Sequence, residues 1–149
     1  MNLPQSRGML RAVPRVSVDM ARIENTIDID RPVEDVWNVV GDFGAISTWL
    51  PAIAASSFGD GVRECSMEGG GLLKEEITDR DDDAHRYSYR IVESPMPIDF
   101  HEATMRVDAR DGGSTVTWIT EIRPDDMAAA MEPVFSDGLL ALKSHLESD

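Results

Sequence analysis

Between Pro51 and Pro124 the chain reads as six short segments separated by turn residues, and one long apolar stripe follows them. That order constrains the fold more than any other feature. An antiparallel sheet built from such segments cannot leave its apolar face bare, so the helix must cover it. The segments are 52–58, 63–68, 72–79, 86–93, 100–109 and 115–123. Their separators carry turn chemistry: Gly59-Asp60-Gly61, Gly69-Gly70-Gly71, Asp81-Asp82-Asp83, Pro95-Met96-Pro97 and Asp111-Gly112-Gly113.

Upstream, Ile23, Ile27 and Ile29 alternate with Glu24, Thr26 and Asp28, which predicts a first strand. Asp30 is expected to cap a helix with Pro32 in its first turn, because Val33, Val36, Trp37 and Val40 recur at helical spacing. Gly41 suits a helix stop, and a second short helix or turn is predicted over 43–48, ended by Pro51. Downstream, Asp125 and Asp126 open a last helix. Its apolar stripe is Met127, Met131, Val134, Phe135, Leu139, Leu142 and Leu146, with Pro133 expected to kink it or delay its regular start.

The 149 residues suit one domain over 21–149, behind a flexible leader over 1–20. The formal net charge is −14, and residues 19–149 alone hold 28 acids against 11 bases, a net of −17. Such a surface repels phosphate backbones and anionic lipid, which argues against nucleic acid and membranes as partners. Cys65 is the only cysteine and the three histidines show no ligand spacing, so neither a disulfide nor a metal site is expected. Cysteine usage favours the cytoplasm. The leader carries Arg7, Arg11 and Arg15 without an acid. It reads as a disordered tail, as translation begun upstream of Met20, or as an organellar presequence.

Residues 37–51, WNVVGDFGAISTWLP, resemble the opening signature of the START/Bet v 1-like superfamily. Within it the bacterial polyketide cyclase/dehydrase-like branch (SRPBCC) is most similar. Gly61-Val62-Arg63, Glu75, the 87–91 segment, Pro95-Met96-Pro97, Trp118 and the 138–143 segment fall where that branch has similar residues. The resemblance spans about residues 21–147. It implies an α+β helix-grip fold: a curved seven-stranded antiparallel sheet around a long C-terminal helix, two short helices after the first strand, and an apolar cavity between sheet and helix. The chain departs from its relatives at Glu76, where they often place a basic residue.

Strand parity assigns the inward side chains independently. Val116, Trp118, Thr120 and Ile122 form the more apolar face of the last strand. A turn centred on Gly112-Gly113 pairs Val107 with Trp118 and Met105 with Thr120. The same arithmetic turns Tyr87, Tyr89 and Ile91 inward, then Leu73, Glu75 and Ile77, then Arg63, Cys65 and Met67. An undetected bulge would flip part of this. On this register Glu75 lies opposite Cys65 and diagonal to Arg63, close enough for a buried ion pair. Such a pair either anchors the wall or orients a polar group on a greasy ligand. Trp49, beside Pro51, is placed at a cavity mouth. Met96, Met105, Met131 and Phe135 are further lining candidates. His101 is a rim residue or a general acid or base; His85 and His145 are expected at the surface, and Trp37 in the core.

Two function classes follow. The first is a carrier or sensor, monomeric or homodimeric, holding a hydrophobic and aromatic or polyketide-like molecule without a cofactor. The second is a cofactor-independent aromatase/cyclase or dehydratase, in which Arg63 and Tyr89 polarise a carbonyl while Glu75 or His101 moves protons. A partner-binding module would need an exposed apolar patch, and the outward strand faces are polar.

Overall fold

The computed structural model describes residues 19–148, so the reading of the leader lies mostly outside the described residues. The alternation at the start becomes β1 (Ala21–Ile29), followed by α1 (Val33–Val40) and a 3-10 helix, Phe43–Thr48. The six punctuated segments become β2 (Ile53–Gly59), β3 (Val62–Met67), β4 (Leu72–Asp81), β5 (Arg86–Glu93), β6 (Phe100–Arg110) and β7 (Gly113–Arg123). A 3-10 turn, Asp125–Met127, leads into α2 (Ala128–Glu147). All strand neighbours are antiparallel, in the order β1-β7-β6-β5-β4-β3-β2.

Helix boundaries depart from the sequence reading in their causes. Pro32, not Asp30, holds the N-cap position of α1, and no side chain caps it. Glu34 and Asp35 in the first turn complement the helix dipole instead. Asp30 serves elsewhere: its N–H donates to Glu147 Oε2 at 2.8 Å, tying the end of β1 to the end of α2. Gly41 does stop α1, but with a right-handed φ of −75°. A Cβ there would meet Trp37 Cε2 at 2.7 Å, so space rather than conformation demands glycine. In α2 the helix runs through Pro133, and its regular start is delayed to Ala128 by the preceding 3-10 turn.

Register differs from expectation by two residues in two hairpins. Arg110 pairs Gly113 across the Asp111-Gly112 turn, so Val107 faces Val116 and Met105 faces Trp118. Gly112 has φ +82°, which a two-residue hairpin turn requires. In the β3–β4 hairpin Met67 N–H already bonds Gly71 O at 3.0 Å, which puts Arg63 opposite Glu75 and Cys65 opposite Leu73. A shift of two preserves faces, so the inward set stands. The core lies between that face and α2, where Met131, Phe135, Gly138, Leu139 and Leu142 are buried. Gly138 allows close approach: a Cβ there would lie 2.5 Å from Leu50 Cδ1.

Candidate functional site

Adjacent strands β3, β4 and β5 each turn one polar side chain into the core: Arg63, Glu75 and Tyr89. Arg63 is 1% exposed and Glu75 6%, so each needs its partner. Arg63 Nε donates to Glu75 Oε1 at 2.7 Å and Nη2 closes on the same oxygen at 2.6 Å. Nη1 donates to the carbonyl of Phe43 at 3.0 Å, and the guanidinium lies 3.7 Å over the Phe43 ring. Burial, the largest single influence, would pull the Arg63 guanidinium down; Glu75 together with Tyr87, Tyr89 and Cys65 outweighs it and holds it above the usual arginine range. All three guanidinium nitrogens are therefore committed to protein oxygens. Glu75 Oε2, by contrast, receives no hydrogen bond from the described residues.

Cys65 Sγ lies 3.9 Å from Glu75 Oε1, and burial together with that carboxylate pushes its thiol up to about 11. Tyr89 is also raised, by burial first and then by Glu75; its hydroxyl oxygen accepts from Trp118 Nε1 at 3.0 Å. The ring of His101 lies 5.7 Å from that of Tyr89. His101 is buried rather than at a solvent rim, and burial lowers its pKa to about 4. Its Nδ1 accepts the N–H of Ile91 at 3.1 Å, beyond Tyr89↔Ala103 where β5 and β6 part. The neutral ring thus carries its proton on Nε2.

These groups share one wall of a cavity of about 130 Å³ between the sheet and α2. The expected residues Arg63, Cys65, Glu75, Tyr89 and His101 form its polar side. Met67, Leu73, Ile91, Met96 and Trp118 continue the wall, and Met131 and Phe135 close it from α2. Five expected lining residues stand elsewhere. Trp49 is buried against Trp118, with ring centroids 6.0 Å apart. Tyr87 packs between Trp37 and Phe43, at 5.9 and 5.2 Å, under α1 and the 3-10 helix. Ile77 sits at a bulge in β4, and Met105 and Thr120 are fully buried off the cavity. Ile46, on the 3-10 helix, and Leu50, just past its end, line the cavity unforeseen. Glu76, the departure from the relatives, lies outside the site and pairs with Arg90 at 2.7 Å. His85 is partly buried against Trp37, ring centroids 5.7 Å apart, and His145 is exposed.

The β3–β4 and β5–β6 loops meet at one end of the cavity wall. A Cβ on Gly71, whose φ is +107°, would meet Pro95 Cγ at 3.2 Å. Ile91, Met96 and His101 also border an outer cleft with Glu93, Ser94 and Asp99, so they partition the inner cavity from that cleft.

A curved seven-stranded antiparallel sheet gripping one long helix over an internal cavity defines a helix-grip protein of the Bet v 1-like class. Residues 20–147 match the family described as "Polyketide cyclase / dehydrase and lipid transport", and the chain belongs to that family. No curated protein sequence matches it significantly. Among solved structures, it is similar to an uncharacterized protein from Bacillus thuringiensis, with TM-score 0.79, 25% identity, and 85% of this chain and 98% of that one covered. A Thermobifida fusca protein solved by NMR gives TM-score 0.70 and 31% identity over 85% of this chain and 95% of its own. The allergen Ara h 8.0201 shares the fold at TM-score 0.70 and 17% identity, over 88% of this chain and 100% of its own. No helix among the described residues is long and apolar enough to cross a membrane.

Proposed function

We propose that this protein is a cytoplasmic binding protein for a small hydrophobic molecule, which it holds in the cavity between sheet and α2. One observation carries the reading: an internal cavity with apolar walls and a single polar side whose charges cancel. Apolar walls supply affinity and a few placed polar groups supply orientation, the usual composition of a small-molecule site. The size favours a compact ligand. A cavity of about 130 Å³ is close to the ~150 Å³ engineered cavity that binds benzene, and well below the ~300–1,000 Å³ of larger ligand pockets. An extended polyketide chain would need the Pro95-Met96-Pro97 loop to move. Native mass spectrometry of the purified full chain, before and after adding benzene-sized probes, tests this. One probe bound per chain, or a co-purified molecule of similar mass, is expected; a chain that binds none overturns the reading.

The dehydratase or cyclase reading is favoured by a separate observation. A neutral imidazole and a carboxylate border the same cavity, and such a pair can shuttle a proton. Arg63 is poorly suited to polarise a carbonyl because Glu75 already offsets its charge. In this reading Tyr89 or His101 would take that role. Loss of turnover with retained affinity in His101→Asn would establish it.

A further inference from the structure

The polar side of the cavity has a definite hydrogen-bonding sense. Each Arg63 nitrogen already contacts a protein oxygen, and its charge is met by Glu75. Glu75 is its complement: Oε1 receives both Arg63 contacts, while Oε2 receives no hydrogen bond from the described residues. Glu75 is 6% exposed and lines the cavity, so the free acceptor on Oε2 is served by a donor from whatever fills the cavity. On the neighbouring strand the Tyr89 oxygen accepts from Trp118, and its own O–H has no acceptor among the described residues. The wall therefore presents one acceptor, on Glu75, and one donor, on Tyr89, the complement of a hydroxyl group. Net charge points the same way. Arg63 and Glu75 cancel, and the remaining wall is neutral, so an anionic ligand would meet Glu75 with no free cation to receive it.

We propose that the cavity selects a neutral single-ring molecule bearing a hydroxyl group, whose O–H donates to Oε2 of Glu75 while the ring lies against Trp118, Met131 and Phe135. This rests on the ligand-binding reading above and adds to it the polarity and charge of the ligand. A wholly apolar cavity would prefer toluene to phenol, because phenol gives up its bonds to water on entering. The selective cavity reverses that order.

Isothermal titration of the full-length protein near neutral pH with phenol, toluene and benzoate as probes tests the inference. Phenol is expected to bind at least about tenfold more tightly than toluene, the lower end of what a hydrogen bond to a charged group contributes. Benzoate is expected to be the weakest of the three. In the double variant Arg63→Met/Glu75→Leu, which removes the whole ion pair and so leaves no buried charge behind, phenol loses that preference. Equal binding of phenol and toluene, benzoate tighter than phenol, or a phenol preference that survives in the double variant overturns the inference while leaving the binding reading intact. Failure of all three probes to bind overturns both.

Discussion

Two nitrogens of Arg63, Nε and Nη2, converge on one oxygen of Glu75 at 2.7 and 2.6 Å, directly across the β3–β4 ladder. The pair is sealed at 1% and 6% exposure. Removing either member strands the other charge in a low-dielectric wall. Arg63→Met or Glu75→Leu is therefore expected to cost about 3–5 kcal/mol, whereas Arg63→Met/Glu75→Leu costs far less than the sum of the two. Urea unfolding of the four proteins of this cycle measures it. Additive losses would show that the two charges are not coupled.

Thr120 offers the opposite case. Its hydroxyl is fully buried on β7 with no hydrogen-bond partner. Thr120→Val replaces the oxygen by a methyl group of similar shape and removes an unmet desolvation cost. A gain of about 1 kcal/mol is expected, seen as a higher urea midpoint at unchanged slope. A loss of stability would mean that the hydroxyl is satisfied in solution.

Gly138 and Leu50 set the depth of the cavity. In Gly138→Ala the new Cβ would fall 2.5 Å from Leu50 Cδ1, and Leu50 lines the cavity. Alanine gains about 1 kcal/mol of helix propensity over glycine, while overpacking costs about 1–3 kcal/mol. A net loss of about 1 kcal/mol is expected, with weaker binding of toluene as Leu50 is pushed inward. Thermal unfolding and titration of the variant give the two readouts; tighter toluene binding would contradict the packing argument.

Much of this architecture was legible in the sequence because period-2 alternation and turn residues act locally. Seven strands and the helices α1 and α2 follow from spacing and turn residues, and a register difference of two residues leaves every face unchanged. That is why Arg63, Glu75, Tyr89 and Trp118 were placed inward although their partners across the ladder were misassigned. The misses were non-local. Tyr87 points inward as parity requires, yet α1 and the 3-10 helix cover that end of the sheet, so Trp37 and Phe43 take the space a ligand would need. Ile77 lies where a bulge interrupts β4, and nothing in its neighbours announces one. Sequence alone places His101 at the rim or makes it a general acid or base, while its buried Nδ1 does a structural task, replacing a strand partner for Ile91 N–H.

Cys65 provides a reporter of the site. Its thiol is fully buried beside Glu75 and pushed up to about 11, so little thiolate exists near neutral pH. Native protein is expected to react with a thiol reagent only as fast as the cavity opens, and a bound ring should slow that rate further. Reaction at the rate of a free thiol would show that the wall is open.

His101 makes stability depend on pH in a defined direction. Its pKa falls from 6.5 to about 4 on folding, mainly by burial. The folded state thus resists protonation that the unfolded chain accepts. Stability from this group is fully present above about pH 6.5 and is lost as the pH falls toward about 4, because the unfolded state binds the proton first. Between about pH 7 and pH 5 the loss from this one residue is on the order of 2 kcal/mol. His101→Asn keeps an oxygen where Nδ1 accepts from Ile91 and cannot titrate in this range. Urea unfolding at both pH values is expected to show the full drop for the parent protein and a drop smaller by about that amount for the variant. Parallel losses would place the acid sensitivity in other groups and return His101 to an ordinary solvated histidine.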